Sequence, residues 1–94
     1  MQKNSYPAPH PQAAFRTFDD QAVIVLADSG NVTVLNETGT LIWQHCDGKH
    51  NLEQIVQAVM SEFDVAAETA WQDVESFLND LIATQALVLS ENPQ

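Results

Sequence analysis

The sequence predicts an α+β fold in which a three-stranded antiparallel meander precedes a bundle of three helices. Two observations carry this prediction. Short runs of apolar, often β-branched residues alternate with turn residues over positions 14–35, as in a small sheet. From Asn36 onward the apolar residues recur every three or four positions, which is the spacing of amphipathic helices. Ninety-four residues suffice for one domain with a small core.

The two ends of the chain are expected to lie outside this domain. Residues 1–13 are polar and contain three prolines within five positions, which excludes a helix, so we predict a flexible N-terminal arm. Residues 90–94 are polar and are predicted to fray. The domain itself is therefore expected over residues 14–89.

Three strands are predicted in the first half. The run Ala14–Phe18 is short and ends at the turn residues Asp19-Asp20. The next run, Ala22–Ala27, is continuously apolar, which is typical of a strand covered on both faces or nearly so. Asp28-Ser29-Gly30 then favours a hairpin connection into a third strand over Asn31–Leu35.

Three helices are predicted after the meander. The first covers about Glu37–His45 and the second about Leu52–Phe63, each following an asparagine whose side chain can cap it. The third covers about Ala67–Thr84. The tryptophans Trp43 and Trp71 are expected to pack in or against the core. Beyond the third helix, the apolar residues 87–89 either form a last short strand or pack back onto the sheet.

Charge and cysteine content limit the classes of function. The net charge is −10, which argues against nucleic acid and anionic membrane surfaces and permits a basic or neutral peptide or protein partner. The single Cys46 cannot form an internal disulfide, which suggests a reducing compartment, and we expect a cytoplasmic protein. The first twenty residues lack a signal-peptide core, and no apolar stretch reaches the length of a membrane span.

A cluster of potential metal ligands follows the first predicted helix: His45, Cys46, Asp47 and His50. Their spacing matches no standard zinc site, and no second pair of ligands accompanies them, so we expect neither a metal nor another cofactor. Adjacent cysteine and histidine residues also rarely aim at each other, and no third group orients them as a catalytic set. We therefore predict that the protein is not an enzyme.

Several short motifs follow one another along the chain: Leu35-Asn36-Glu37-Thr38, Trp43 to Gly48 ending in Cys46-Asp47-Gly48, Ile55-Val56, and Asp73-Val74 through Phe77-Leu78 to Leu81. Together, in this order, they resemble the PqqD family. The resemblance extends over residues 14–89. The sequence departs from the family pattern at Gly39-Thr40, where small alanine-like residues are common, and at Ala86, where glycine is usual.

The resemblance implies a peptide-binding chaperone with a winged helix-turn-helix-like fold. Such domains are precursor-peptide recognition elements that bind the leader of a ribosomally made precursor peptide. They deliver it to a modifying enzyme, often a radical S-adenosylmethionine protein. In this family the leader adds as a strand to the edge of the third strand and lies against the third helix. The product is pyrroloquinoline quinone or another modified peptide.

The residues themselves indicate where a peptide would bind. Four strand residues are expected to provide backbone pairing: Val32, Thr33, Val34 and Leu35. On the third helix, Asp73, Phe77 and Asp80 share a stripe beside the core stripe, since their spacings are four and three. Phe77 would give an apolar contact, and the two aspartates would attract lysine or arginine in the leader.

Structural roles are open for the same residues. The aspartates equally suit a solvated face, and a phenylalanine at position 77 is more often a core residue than a ligand contact. The N-terminal arm or a second copy in a homodimer is an alternative occupant of the strand edge.

Three other classes of function compete with leader binding. A winged-helix DNA-binding regulator is disfavoured, because no lysine or arginine follows Lys49 whereas eight acidic residues do. A small enzyme lacks a coherent catalytic set. A scaffold domain for a folded partner enzyme fits the same observations, and it differs from a leader-binding domain only in what touches the strand edge.

Overall fold

The computed structural model describes residues 4–19 and 21–92. Within those ranges the chain forms strands and helices in the order β1 (Tyr6–Pro9), β2 (Ala13–Phe18), β3 (Gln21–Leu26), β4 (Val32–Val34), α1 (Glu37–Gln44), α2 (Leu52–Phe63), α3 (Ala67–Ala83) and β5 (Leu87–Ser90). The predicted α+β fold is confirmed. All three helices and the strands of the meander lie within three residues of their predicted bounds.

Strands β2, β3 and β4 form an antiparallel sheet with β3 in the centre. The register places Phe15 opposite Ile24, and Ile24 opposite Thr33. Both β2 and β4 are therefore edge strands, whose outer backbone groups no other strand of the described chain pairs.

Strand β3 is covered on one face only, so the prediction of a strand buried on both faces is wrong. Ala22, Ile24 and Leu26 are buried, whereas Val25 between them is exposed. The helices pack on the side of Ile24, and the other side is largely open, with Val23 half-buried and Val25 exposed. A continuous apolar run does not distinguish these two arrangements, because β-branched residues also suit an exposed strand position.

The prediction of a flexible arm over residues 1–13 is also wrong for the part that the structure describes. Tyr6–Pro9 pairs antiparallel with Leu87–Ser90, which forms the last strand, and both Pro7 and Ala8 are buried. Ser90 is thus paired and not frayed. Residues 1–3, 93 and 94, and Asp20 of the predicted turn, lie outside the described residues.

Strand β1 is also tied to the turn before α2. The amide of Gly48 donates to the carbonyl of Pro7 at 2.9 Å, and the amide of Leu52 donates to the carbonyl of Ser5 at 3.0 Å. The second bond satisfies one of the first-turn amides that a helix leaves without an internal partner. The N-terminal strand therefore belongs to the domain.

Replacing Ala8 with lysine tests this attachment. We expect the Ala8→Lys variant to lose about 2–4 kcal/mol of unfolding free energy, because it forces a charged side chain into a buried position. Leu89→Lys, an exposed site on the paired strand β5, should cost under about 1 kcal/mol. Urea denaturation measures both, and equal stabilities for the two variants would mean that residues 6–9 do not pack on the domain.

Capping and packing fix the helices in place. Asn36 caps α1, and α2 begins with a full capping box between Asn51 and Gln54. The hydroxyl of the buried Thr40 accepts a hydrogen bond from the Ala22 amide at 2.9 Å, and this bond joins α1 to β3. Trp43 is buried and meets the ring of Phe15 edge-on at 5.2 Å. These contacts hold the start of α1 immediately after β4.

No helix in residues 4–19 and 21–92 is both long and apolar enough to cross a membrane.

Candidate peptide-binding site

The edge strand β4 exposes both its side chains and one row of its backbone groups. Val32 and Val34 are each 62% exposed, an unusual degree for valine in a strand. Such an edge can pair with an extended peptide from another chain.

The hydrogen bonds between β3 and β4 identify which backbone groups are open. The Leu35 amide donates to the Ala22 carbonyl at 2.8 Å, and the Leu26 amide donates to the Asn31 carbonyl at 3.0 Å. Residues of an antiparallel strand direct their backbone groups alternately to either side, so residues 31, 33 and 35 face β3. The amides and carbonyls of Val32 and Val34 consequently face the open edge.

This parity divides the four predicted pairing residues, whose role stays a prediction, by the direction of their backbone groups. Val32 and Val34 remain candidates, whereas Thr33 directs its backbone toward Ile24 of β3. Leu35 lies beyond the end of β4, is buried, and uses its amide in the bond to β3. Thr33 instead turns its exposed side chain to the helical side of the sheet, opposite Ile24.

A groove of about 330 Å³ lies between the start of α1 and α3, next to the end of β4. The α1 side contributes four residues and the α3 side four more: Asn36, Thr38, Gly39, Ile42, Asp73, Ser76, Phe77 and Asp80. The structure thus brings all three predicted α3 residues together in one groove. The sequence analysis did not identify Ser76 or the four residues on the α1 side as part of the site. Ser76 could have been found, because it follows Asp73 at a helical spacing of three residues.

Phe77 forms the apolar part of this groove and also packs against the core. Its ring lies close to Gly39, where an added Cβ would stand 3.0 Å from Cε2 of Phe77. The Gly39 amide donates to the Asn36 side chain at 2.8 Å, which holds this turn of α1 in place. The glycine therefore allows the ring to lie directly against the start of α1.

Adding a methyl group at Gly39 should displace that ring. We expect Gly39→Ala to cost about 1–2 kcal/mol in stability, because displacing the ring outweighs the roughly 1 kcal/mol that alanine gains over glycine within a helix. A double variant, Gly39→Ala with Phe77→Leu, should recover part of the loss. Thermal unfolding of the four proteins in this cycle measures the coupling, and strictly additive losses would contradict the contact.

Asp73 and Asp80 give the groove a negative charge. Both are exposed, and the one salt bridge found among residues 4–19 and 21–92 joins Asp47 to His50 instead. The two carboxylates are thus available to a cationic side chain in a ligand. The alternative of a merely solvated face stays open, since exposure alone is common to both roles.

A second groove, of about 250 Å³, lies on the far side of α1. Its lining is acidic at three positions, Asp19, Glu37 and Glu62, and includes no residue of α3, whereas α3 forms one wall of the first groove. The predicted leader contacts on α3 therefore belong to the first groove.

The cluster after α1 has a structural explanation. Cys46 is buried, and its thiol donates a hydrogen bond to the Ile42 carbonyl at 3.2 Å. Burial, and to a smaller extent the negative charge of the neighbouring Asp47, raises the pKa of this thiol to about 12. Desolvation raises the pKa of Asp47, but hydrogen bonds from His50 and from the Lys49 amide outweigh it and lower that pKa overall. Within the described ranges, no three such side chains group as metal ligands.

Two solved structures share this fold. TbiB1 in complex with the TbiA(beta) leader peptide is 25% identical, with a TM-score of 0.80 over 85% of this chain and 93% of that one. A lasso peptide synthetase B1 complexed with the leader peptide is 23% identical, with a TM-score of 0.80 over 88% and 98%. No curated protein matches the chain.

The family model described as coenzyme PQQ synthesis protein D (PqqD) matches residues 21–87. This range contains β3, β4 and all three helices, and so includes both the open strand edge and the groove between α1 and α3. The match extends over more than half of the chain and agrees with the motifs read from the sequence. The chain belongs to the PqqD family.

Proposed function

We propose that this protein is a precursor-peptide recognition element, which binds the leader of a ribosomally made precursor and presents it to a modifying enzyme. The observation that carries the proposal is the open edge of β4, which is followed two residues later by Asn36, the first residue that lines the groove between α1 and α3. Membership of the PqqD family supports it, as does the likeness to TbiB1, which was solved with a leader peptide.

In this mechanism the backbone supplies affinity and the groove supplies selectivity. The leader pairs with the open amides and carbonyls of Val32 and Val34 and so becomes a fourth strand of the sheet. Each net hydrogen bond contributes about 0.5–1.5 kcal/mol, whatever the leader sequence. Leader side chains on the helical side of the sheet then enter the groove, where Phe77 offers an apolar surface.

Charge favours a basic leader. Asp73 and Asp80 lie seven positions apart on α3, which separates their Cα atoms by about 10 Å along the helix. A lysine or arginine of the leader can approach either carboxylate. The net charge of −10 also attracts a cationic peptide at longer range and speeds its association at low salt.

The remaining parts of the proposal concern partners and location. We infer a second partner, a peptide-modifying enzyme of the radical S-adenosylmethionine kind or another class, acting in the biosynthesis of pyrroloquinoline quinone or another modified peptide. The protein itself would be neither an enzyme nor a cofactor carrier. A cytoplasmic location follows, because precursors are made there and the lone thiol of Cys46 stays reduced there.

Equilibrium binding tests the proposal against the scaffold alternative. A fluorescein-labelled synthetic leader from a precursor encoded beside this gene is titrated with the protein, and anisotropy is recorded. We expect saturable binding that an unlabelled leader competes away and that a scrambled leader of equal charge does not. Binding of the neighbouring modifying enzyme with no binding of any candidate leader would favour the scaffold function instead.

A further inference from the structure

The face of the β2–β3–β4 sheet opposite the helices is largely apolar and open; by register, Arg16 opposite Val23 and Gln21 opposite Phe18 are its polar members. We call it the outer face and define it by five side chains: Phe18, Val23, Val25, Val32 and Val34. Phe18 is 57% exposed, Val25 is 39% exposed, and both β4 valines are 62% exposed. No described residue covers this face, which is unusual for four large apolar side chains on one small sheet.

The register shows that the outer face is continuous up to the open edge. Val23 lies opposite Val34, and Val25 lies opposite Val32, so the four valines form two adjacent pairs. Side chains directly opposite each other in a sheet point to the same face. The two valines with open backbone groups are therefore also the last apolar side chains of this face.

A peptide strand paired to β4 adds side chains to both faces of the sheet, because alternate residues of a strand point to opposite faces. Its residues opposite Val32 and Val34 project onto the outer face, with Cβ atoms about 5 Å from the valines. The residue between them, opposite Thr33, projects to the helical side, where the groove lies. The leader itself would therefore occupy the outer face, because every second side chain of the paired leader points to that face.

We propose that the β4 margin of the outer face, formed by Val32 and Val34, is a second recognition surface, which selects leaders with apolar side chains at two outward positions, i and i+2, of the paired segment. β-Branched and aromatic residues suit these positions best, because they pack well against valine across strands. The inference rests on the proposed function and adds a rule of selectivity that the groove alone does not impose.

A double-mutant cycle between protein and peptide tests this rule. Each residue of a labelled candidate leader is replaced singly by threonine, and affinity is measured with wild type and with Val32→Thr/Val34→Thr. Threonine keeps the β-branched shape at two exposed sites, so the fold is retained. With the wild-type protein, we expect threonine at each of two leader positions, i and i+2, to weaken affinity roughly 2- to 5-fold. With the variant, those two losses should disappear.

Val25→Thr is the matched control, because Val25 belongs to the same face but lies one strand away from the peptide. It should leave both losses in place. Leader binding with no coupling at any pair of positions would overturn the selectivity rule and leave the proposed function intact. Weaker binding of the modifying enzyme, with unchanged leader affinity, would also overturn it by assigning the face to the enzyme. A wild type that binds no leader would refute both proposals.

Discussion

Replacing Val34 with proline should weaken leader binding about 10- to 100-fold. The open edge presents the Val34 amide, so proline removes a hydrogen-bond donor to the leader and puts its ring where the leader backbone would lie. The bonds between β4 and β3 are kept, because they use residues 31, 33 and 35. Stability should change by under about 1 kcal/mol, since the Val34 side chain is largely exposed.

The opposite edge of the same sheet provides the control. The Ala27 amide donates to the Gln12 carbonyl, so by alternation the Thr17 amide of β2 faces outward, away from β3. Thr17→Pro therefore makes the same chemical change at an equivalent edge position that is not followed by the groove between α1 and α3. Anisotropy titration should show wild-type affinity for Thr17→Pro. Equal weakening by both variants would mean that the loss reflects a general disturbance of the sheet.

The second large effect on leader affinity is expected from reversing the charges of Asp73 and Asp80. Asp73→Lys/Asp80→Lys should weaken binding of a basic leader roughly 10-fold at low ionic strength, because two attractions become two repulsions. The difference should shrink as salt is added, since both sites are exposed and screened. Titrations at 20 and 300 mM sodium chloride measure both effects.

Helix α3 carries its own matched control for this charge reversal. Glu68 and Glu75 are also seven positions apart and do not line the groove. Glu68→Lys/Glu75→Lys changes the net charge equally and should alter leader affinity much less. Because Glu68 lies in the first turn of α3, its reversal also costs about 0.5 kcal/mol in stability. If both double variants weakened leader binding equally, the groove carboxylates would act only through the net charge of the protein and not through their position.

The helices were predictable because their signals are local. Asn36 and Asn51 mark two starts, and the apolar spacing of three and four fixes the buried side of each helix. The same spacing placed Asp73, Phe77 and Asp80 on one stripe, which the structure turns into one wall of a groove.

Features that depend on distant parts of the chain were not predictable. Strand β1 forms only because the last strand, β5, lies beside it, and its prolines argue locally for an unpaired arm. One-sided burial of β3 depends on where the helices pack. The backbone direction of Thr33 and Leu35 depends on the register with β3, and a shift by one residue would have exchanged the open and paired sets.

An amide-shift titration of the isotope-labelled protein with a candidate leader tests the central claim most directly. We predict shifts concentrated at residues 31–35 and 73–81, with the amides of Val32 and Val34 becoming protected from solvent exchange. Those two protections would establish pairing at the β4 edge. Shifts confined to the groove around Glu37, Gln44 and Glu62, or to the β2 edge near Thr17, would contradict leader capture by β4 and α3.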